Sequence, residues 1–223
     1  MPEPEVQALV FDAYGTLFDV HAVIDRAETI FPNQGTRLSQ IWRTKQLEYT
    51  WLLSLMGQYE DFAQVTQRAL TFACKALNLT YSQDAIQSLM AAYNKLDLYP
   101  DVKAGLEQLS AHYPLMILSN GSPAMSQAAV EQAGLRELLQ QILSADAVSI
   151  YKPSPQVYGL AVAALNLHPS AIRFVSSNAW DIAGAKAFGF QTCWINRSGQ
   201  PEEELDHPAN AIITQFTELL LLP

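Results

Sequence analysis

Three observations on the 223-residue sequence predict an α/β fold, a doubly wound and mostly parallel sheet with a helical cap inserted near its start. Short apolar runs alternate with amphipathic stretches over the second half of the chain, the pattern of strands joined by crossover helices. A block from about Val20 to Lys95 breaks that rhythm and carries apolar residues at helical spacing only. Acidic, hydroxyl and basic side chains recur just beyond the apolar runs, where open α/β sheets gather reactive groups.

The run VQALVF, Val6 to Phe11, stops abruptly at Asp12, as suits a buried strand delivering a carboxylate to its exit loop. Gly15 then permits unusual backbone geometry, and Thr16 can hydrogen-bond locally. In the following block, RLSQIWRTKQLEYTWLLSLM, FAQVTQRALTFACKALNL and SQDAIQSLMAAYNKL read as long helices, with Ser82 as N-cap of the third. Three or four helices here would form a cap over residues 20–96, leaving residues 1–19 and 97–223 as the α/β core, with Leu98, Tyr99 and Pro100 marking the return.

PLMILSNG is the next strand, ending near Ser119, and PAMSQAAVEQAG is a helix stopped by Gly134. ILSADAV and AIRFVSSN are further strands, separated by the helix PQVYGLAVAAL that begins near Pro155; DIAGAKAFGF is a helix and QTCWI a strand. Asp12, Ser119, Lys152 and the segment Ser176 to Asp181 thus all fall at or after strand ends. Their separation in sequence becomes proximity in space.

Composition narrows the function. At 49% hydrophobic and 16% charged residues the chain is a folded globular protein. A formal charge of −9 argues against a nucleic-acid partner, which needs basic patches against a phosphate backbone. No apolar stretch approaches the roughly 20 residues that span a bilayer. The opening MPEPEVQ lacks the basic and apolar regions of a signal peptide, so a soluble cytoplasmic protein with no membrane partner is expected. Cys74 and Cys193 supply neither a disulfide framework nor a cysteine-rich metal site. His21, His112, His168 and His207 form no short-spaced ligand cluster and read as isolated surface or packing residues.

Five segments, FDAYGTLFD, WRTKQLEYTWLLSLMG, LSNGS, YKPSPQVY and SSNAWDIAGAKAFGF, span essentially the whole chain. Together they resemble the haloacid dehalogenase superfamily, most closely its bacterial L-2-haloacid dehalogenases. The resemblance implies a Rossmann-like sheet with Asp12 as covalent nucleophile. Superfamily phosphatases usually carry a second aspartate two residues later, for acid-base chemistry and for organising magnesium; here that position is Tyr14, whose unperturbed pKa of about 10 unsuits it as a general acid near neutrality. They also commonly place acidic residues at the positions matching Ser177 and Asp181, of which only Asp181 is acidic. Magnesium prefers six oxygen ligands and leans on carboxylates, so chemistry without a metal or cofactor is implied. Charge balance agrees: Asp12, Asp181 and a 2-haloalkanoate carboxylate face Arg43 and Lys152, whereas a phosphate dianion would add more negative charge, and buried unpaired charge is costly.

The same resemblance assigns Arg43, on the first long cap helix, to the halogen-bearing carbon and the departing halide, a task suited to its fixed charge. Asn120 and Trp180 match positions of the halide region. Lys152 matches the lysine that restrains the nucleophile, Ser119 and its adjacent backbone the part that grips the substrate carboxylate, and Thr16 orients Asp12. Ser176, Asn178 and Asp181 complete the polar shell around the hydrolytic water, with Tyr158 bonding behind them. Tyr14, Leu47, Phe62 and Trp180 are apolar boundaries for a small substrate, or else packing between cap and core.

The implied reaction is the hydrolysis of short L-2-haloalkanoic acids to D-2-hydroxyalkanoic acids and halide, through an Asp12 ester formed with inversion at C2. Which of Asp181, Lys152, Ser176 and Asn178 activates water stays open. A magnesium phosphatase or phosphonatase, and a catalytically silent small-acid-binding protein, are the competing readings. Similar enzymes are commonly homodimers, and the apolar positions from Ile41 to Leu55 would bury against the core or a second subunit.

Overall fold

The computed structural model describes residues 5–20 and 23–222. His21, and residues 1–4 that open the MPEPEVQ segment, lie outside the described residues, as do Ala22 and Pro223. The strands β1 (Ala8–Phe11), β2 (Leu115–Ser119), β3 (Gln141–Ser144), β4 (Ile172–Ser176), β5 (Gln191–Ile195) and β6 (Ala211–Ile213) form one sheet. Its order is β3-β2-β1-β4-β5-β6, with every neighbouring pair parallel. The chain steps outward from β1 to β3, returns to β4 beside β1, and steps outward the other way. With right-handed crossovers, that reversal puts helices on both faces, the doubly wound arrangement.

β1 is the centre of the sheet, Phe11 lying level with Ile117 on one side and Val175 on the other. Ala8, Val10 and Phe11 are unexposed. A strand covered on both faces reads as a continuous apolar run, which is why VQALVF is legible in the sequence. Because the strands are parallel and in step, their C-terminal ends share one edge. Asp12 follows β1 there, and Ser119, Ser144 and Ser176 end β2, β3 and β4.

Between β1 and β2, the helices α1 (Val23–Ile30), α2 (Gly35–Met56), α3 (Phe62–Ala76) and α4 (Gln83–Tyr93) pack on one another as a layer. The Asp61 carboxylate caps α3, accepting from the Ala63 and Gln64 N–H groups at 2.8 and 3.1 Å. Ser82 caps α4 as expected, accepting from the Ala85 N–H at 3.1 Å. Leu38 and Leu70 are fully buried in this layer, each contributing about 2 kcal/mol. The chain enters and leaves side by side: the Asp19 N–H donates to the Asp97 carbonyl at 2.9 Å and the Tyr99 N–H to the Leu17 carbonyl at 3.0 Å. Phe18 and Leu98 pair antiparallel between them. None of the described helices is long and apolar enough to cross a membrane.

The remaining helices are α5 (Val102–Leu109), α6 (Pro123–Gln132), α7 (Pro155–Leu165) and α8 (Ala179–Phe188). Three differences from the sequence reading stand out. ILSADAV is not a strand throughout: β3 ends at Ser144, whose hydroxyl accepts from the Asp146 N–H at 3.2 Å and turns Ala145–Val148 into a 3₁₀ helix. The helix expected over FAQVTQRALTFACKALNL stops at Ala76. Neither α5, β6 nor the C-terminal 3₁₀ helix Phe216–Leu221 is anticipated. Cys74 and Cys193 are buried free thiols, and burial raises them to about 11 and about 12, respectively.

Candidate active site

Asp12 is held at the centre of the sheet's C-terminal edge by its own backbone, whose N–H donates to the Val175 carbonyl at 2.9 Å. The chain then turns sharply. Gly15 adopts φ +92°, which L side chains rarely tolerate, and the N–H groups of Thr16, Leu17 and Phe18 converge on the Ala13 carbonyl. The turn brings the Thr16 hydroxyl back onto Asp12 Oδ2 at 2.8 Å. Thr16 Oγ1 accepts from the Ser177 N–H at 2.8 Å. An amide N–H can only donate, so the hydroxyl hydrogen is committed to Asp12.

Lys152 enters from the loop between β3 and α7 and is unexposed. Its Nζ bridges Asp12 Oδ1 at 3.1 Å and Asp181 Oδ2 at 2.9 Å. Burial alone would lower the ammonium's pKa, yet the two carboxylates together outweigh it and hold Lys152 above the usual lysine value. Burial pushes the Asp181 carboxyl up to about 6 against the pull of Lys152, with Asp12 adding to the rise. Tyr158, from α7, donates to Asp181 Oδ1 at 2.7 Å. Burial, and then Asp181, hold its hydroxyl well above the usual tyrosine value, so it remains a donor.

On the other side, Arg43 reaches across from α2. Its Nη2 donates to Asn178 Oδ1 at 3.2 Å and to the Tyr14 carbonyl at 3.4 Å. The Asn178 Nδ2 donates to Asp12 Oδ2 at 2.9 Å and to the Tyr14 carbonyl at 3.3 Å. Arginine only donates and a carboxylate only accepts, so this amide has one permitted orientation. A single side chain therefore links the carboxylate of the core to the cation of the helical layer. Arg43 Nη1 donates to Gln46 Oε1 at 2.8 Å, which also accepts from the Tyr93 hydroxyl at 3.2 Å.

Asp12, Thr16, Lys152, Asn178 and Asp181 thus form one connected group, touched by Tyr158 behind and Arg43 in front. Ser176 joins through its hydroxyl, which accepts from the Asn178 N–H at 3.1 Å. Asn120 Oδ1 accepts from the Lys152 N–H at 3.0 Å, and the Ser119 hydroxyl from the Gly121 N–H at 2.9 Å. A Cβ on Gly121 would lie 2.6 Å from the Tyr14 ring, so this glycine is where the ring needs bare backbone. The Tyr14 ring packs tilted against Phe62 at 5.8 Å, and burial raises its hydroxyl above the ordinary tyrosine value. Leu47, Trp180, Arg43 and Asn178 line a cleft of about 600 Å³ beside the group.

Sequence reasoning missed Gln46, Tyr93, Thr66 and Trp51. Gln46 is three residues past Arg43 on α2, and helical spacing alone puts it on the same face. Trp51 extends the four-residue spacing of Arg43 and Leu47, and its ring meets Trp180 edge to face at 5.5 Å. Among the described residues, no three His, Cys, Asp or Glu side chains gather as metal ligands.

The chain is similar to known proteins over nearly its whole length. The family model for haloacid dehalogenase-like hydrolases matches residues 6–189. An (S)-2-haloacid dehalogenase 2 of Pseudomonas sp. strain CBS-3 is 47% identical over 216 residues, covering 96% of this chain and 94% of that protein. The crystal structure of the L-2-haloacid dehalogenase RSc1362 superposes with a TM-score of 0.96 at 45% identity, covering 98% of each chain. The structure of an L-2-haloacid dehalogenase from Xanthobacter autotrophicus with chloropropionic acid covalently bound has a TM-score of 0.91 at 37% identity over 96% of each chain. The chain belongs to the haloacid dehalogenase-like hydrolases.

Proposed function

We propose that this chain is an (S)-2-haloacid dehalogenase, converting short L-2-haloalkanoic acids to D-2-hydroxyalkanoic acids and halide. The observation that carries the reading is the Asn178 bridge. One amide binds the carboxylate of Asp12 through Nδ2 and the guanidinium of Arg43 through Oδ1, which suits a carbon attacked from one side and losing an anion on the other. In this reading residues 20–96 are a cap over a core of residues 1–19 and 97–223, and the substrate sits between them.

An Asp12 oxygen attacks C2 opposite the halogen, the C2–O bond forms as the carbon–halogen bond breaks, and the pair of electrons leaves with the halide beside Arg43, Asn120 and Trp180. Ser119 and the neighbouring N–H groups hold the substrate carboxylate. Tyr14, Leu47, Phe62 and Trp180 wall off bulk water and strengthen the electrostatics inside. Water then adds to the carbonyl carbon of the Asp12 ester, releasing the hydroxy acid and restoring the carboxylate. Asp181, whose carboxyl titrates near 6, is the base best matched to neutral pH. Lys152 keeps it and Asp12 in register, and Ser176, Asn178 and Thr16 fix the remaining hydrogen bonds.

Positive charge comes from Lys152 and Arg43, so the proposed reaction runs without a metal. The test is halide release from the two enantiomers of 2-chloropropionate with EDTA present. We expect chloride and D-lactate from the S enantiomer alone; magnesium-dependent phosphate release without halide release would refute the reading. The exposed Leu52, Leu55, Met56 and Phe72 on α2 and α3 support a homodimer, and we read the enzyme as cytoplasmic.

A further inference from the structure

We infer that Gln46 is a positioning residue whose amide aims the Arg43 guanidinium at the departing halide without neutralising it. The inference rests on the proposed dehalogenation and deepens it. Gln46 is fully buried on α2, an unusual place for a polar side chain unless every hydrogen-bonding atom is used. Here each heavy atom is. Arg43 can only donate, so the amide oxygen must face Nη1, at 2.8 Å. Its second lone pair takes the Tyr93 hydroxyl at 3.2 Å. The amide nitrogen is thereby turned onto Thr66 Oγ1 at 2.7 Å, and the Thr66 hydroxyl passes its hydrogen to the Phe62 carbonyl at 2.6 Å.

The result is a directional relay, Arg43 to Gln46 to Thr66 to a backbone carbonyl, anchored at both ends. Its surroundings allow little movement. The Tyr93 ring stacks on Tyr14 at 5.8 Å and packs against Trp42 at 5.4 Å, and the Trp42 indole donates to the Thr66 carbonyl at 2.8 Å. The guanidinium is gripped by Gln46 on one side and by Asn178 and the Tyr14 carbonyl on the other. All three acceptors are neutral. A glutamate at 46 has nearly the same shape, but its charge would offset the guanidinium's field where the halide develops, in a buried setting where screening is weak.

Gln46→Glu keeps the shape and the acceptor toward Arg43 but gives up the donor to Thr66, so the ratio between two halide substrates, rather than the loss alone, separates positioning from packing. Bromide leaves carbon more readily than chloride and depends less on cationic assistance. The value of kcat/KM reports the first irreversible step, here carbon–halogen cleavage. For (S)-2-chloropropionate we expect Gln46→Glu to lose about 100-fold in kcat/KM, against about tenfold for (S)-2-bromopropionate. Thr66→Val, which cuts the relay one step away, should lose about threefold on the chloride substrate and less on the bromide. A parental bromide-to-chloride ratio in Gln46→Glu overturns the inference. If Gln46→Glu does not fold, the ratio in Thr66→Val decides in the same way. A parent chain that releases no halide is a different result, and removes the dehalogenase reading itself.

Discussion

The two halves of the site hold their charges by opposite means. On the core side, Lys152 is locked between Asp12 and Asp181 by ion pairs of 3.1 and 2.9 Å, with no exposure at the ammonium. On the α2 side, Arg43 is half-buried and held by an amide, a carbonyl and a second amide. A buried ion pair fixes geometry but consumes the charge it fixes. Neutral acceptors fix geometry and leave the charge free to act on whatever arrives. In the proposed reaction the core thus stores a preset nucleophile, and the helical layer presents to it a cation held by neutral acceptors.

The largest effect should come from removing the buried cation. Lys152→Met leaves two carboxylates facing each other out of water, and we expect a loss of about 3–5 kcal/mol by urea unfolding, together with loss of turnover. Arg43→Met should cost about 1 kcal/mol while still suppressing halide release, because its neutral acceptors lose a donor rather than a counter-charge. Equal destabilisation by the two substitutions would break the contrast.

An intermediate effect lies in pH. With Asp181 raised to about 6 and acting in ester hydrolysis, after the first irreversible step, kcat should rise through an acid limb near that pH where hydrolysis limits turnover, and the raised Lys152 should keep the plateau intact into the alkaline range. Tyr158 lowers the Asp181 value by donating to it, so Tyr158→Phe should move the limb to higher pH; an unmoved limb would detach Asp181 from the chemistry. Stability runs the other way. Folded Asp181 binds its proton more tightly than the unfolded chain does, so its contribution is full below about pH 4 and declines as pH rises toward about 6. The smallest effect belongs to Ser82→Ala, which removes the α4 cap. It should cost about 1 kcal/mol in the denaturation midpoint with kcat/KM unchanged; a parallel loss of activity would tie the far side of the helical layer to the site.

What the sequence makes legible follows from period and length. β1 shows itself because both faces are covered, and α2 to α4 because their apolar stripes run for several turns. β6 has three residues at the sheet edge, one of them buried, and gives no pattern. α5 has only eight residues, too few for its apolar stripe to repeat over several turns. ILSADAV misleads because its apolar character outlasts the ladder, which Ser144 ends with a side-chain bond. The polar site residues are legible at strand ends, where Asp12, Ser119 and Ser176 interrupt apolar runs. Gln46 and Thr66 are not, because a polar residue on an amphipathic helix ordinarily faces water. Only the packing of α3 and α4 over α2 turns that face inward.

The paired passages at Phe18 and Leu98 have a consequence for lineage. Every residue between them leaves and re-enters the core at almost one point, so helices there can lengthen, shorten or be replaced without shifting the register of any strand. The crossing point also lies beside Asp12, the Phe18 N–H donating to the neighbouring Ala13 carbonyl at 3.1 Å. In the proposed reaction, helices placed there meet the reacting group, so they can reshape substrate choice while leaving the carboxylate, its lysine and the sheet that carries them in place.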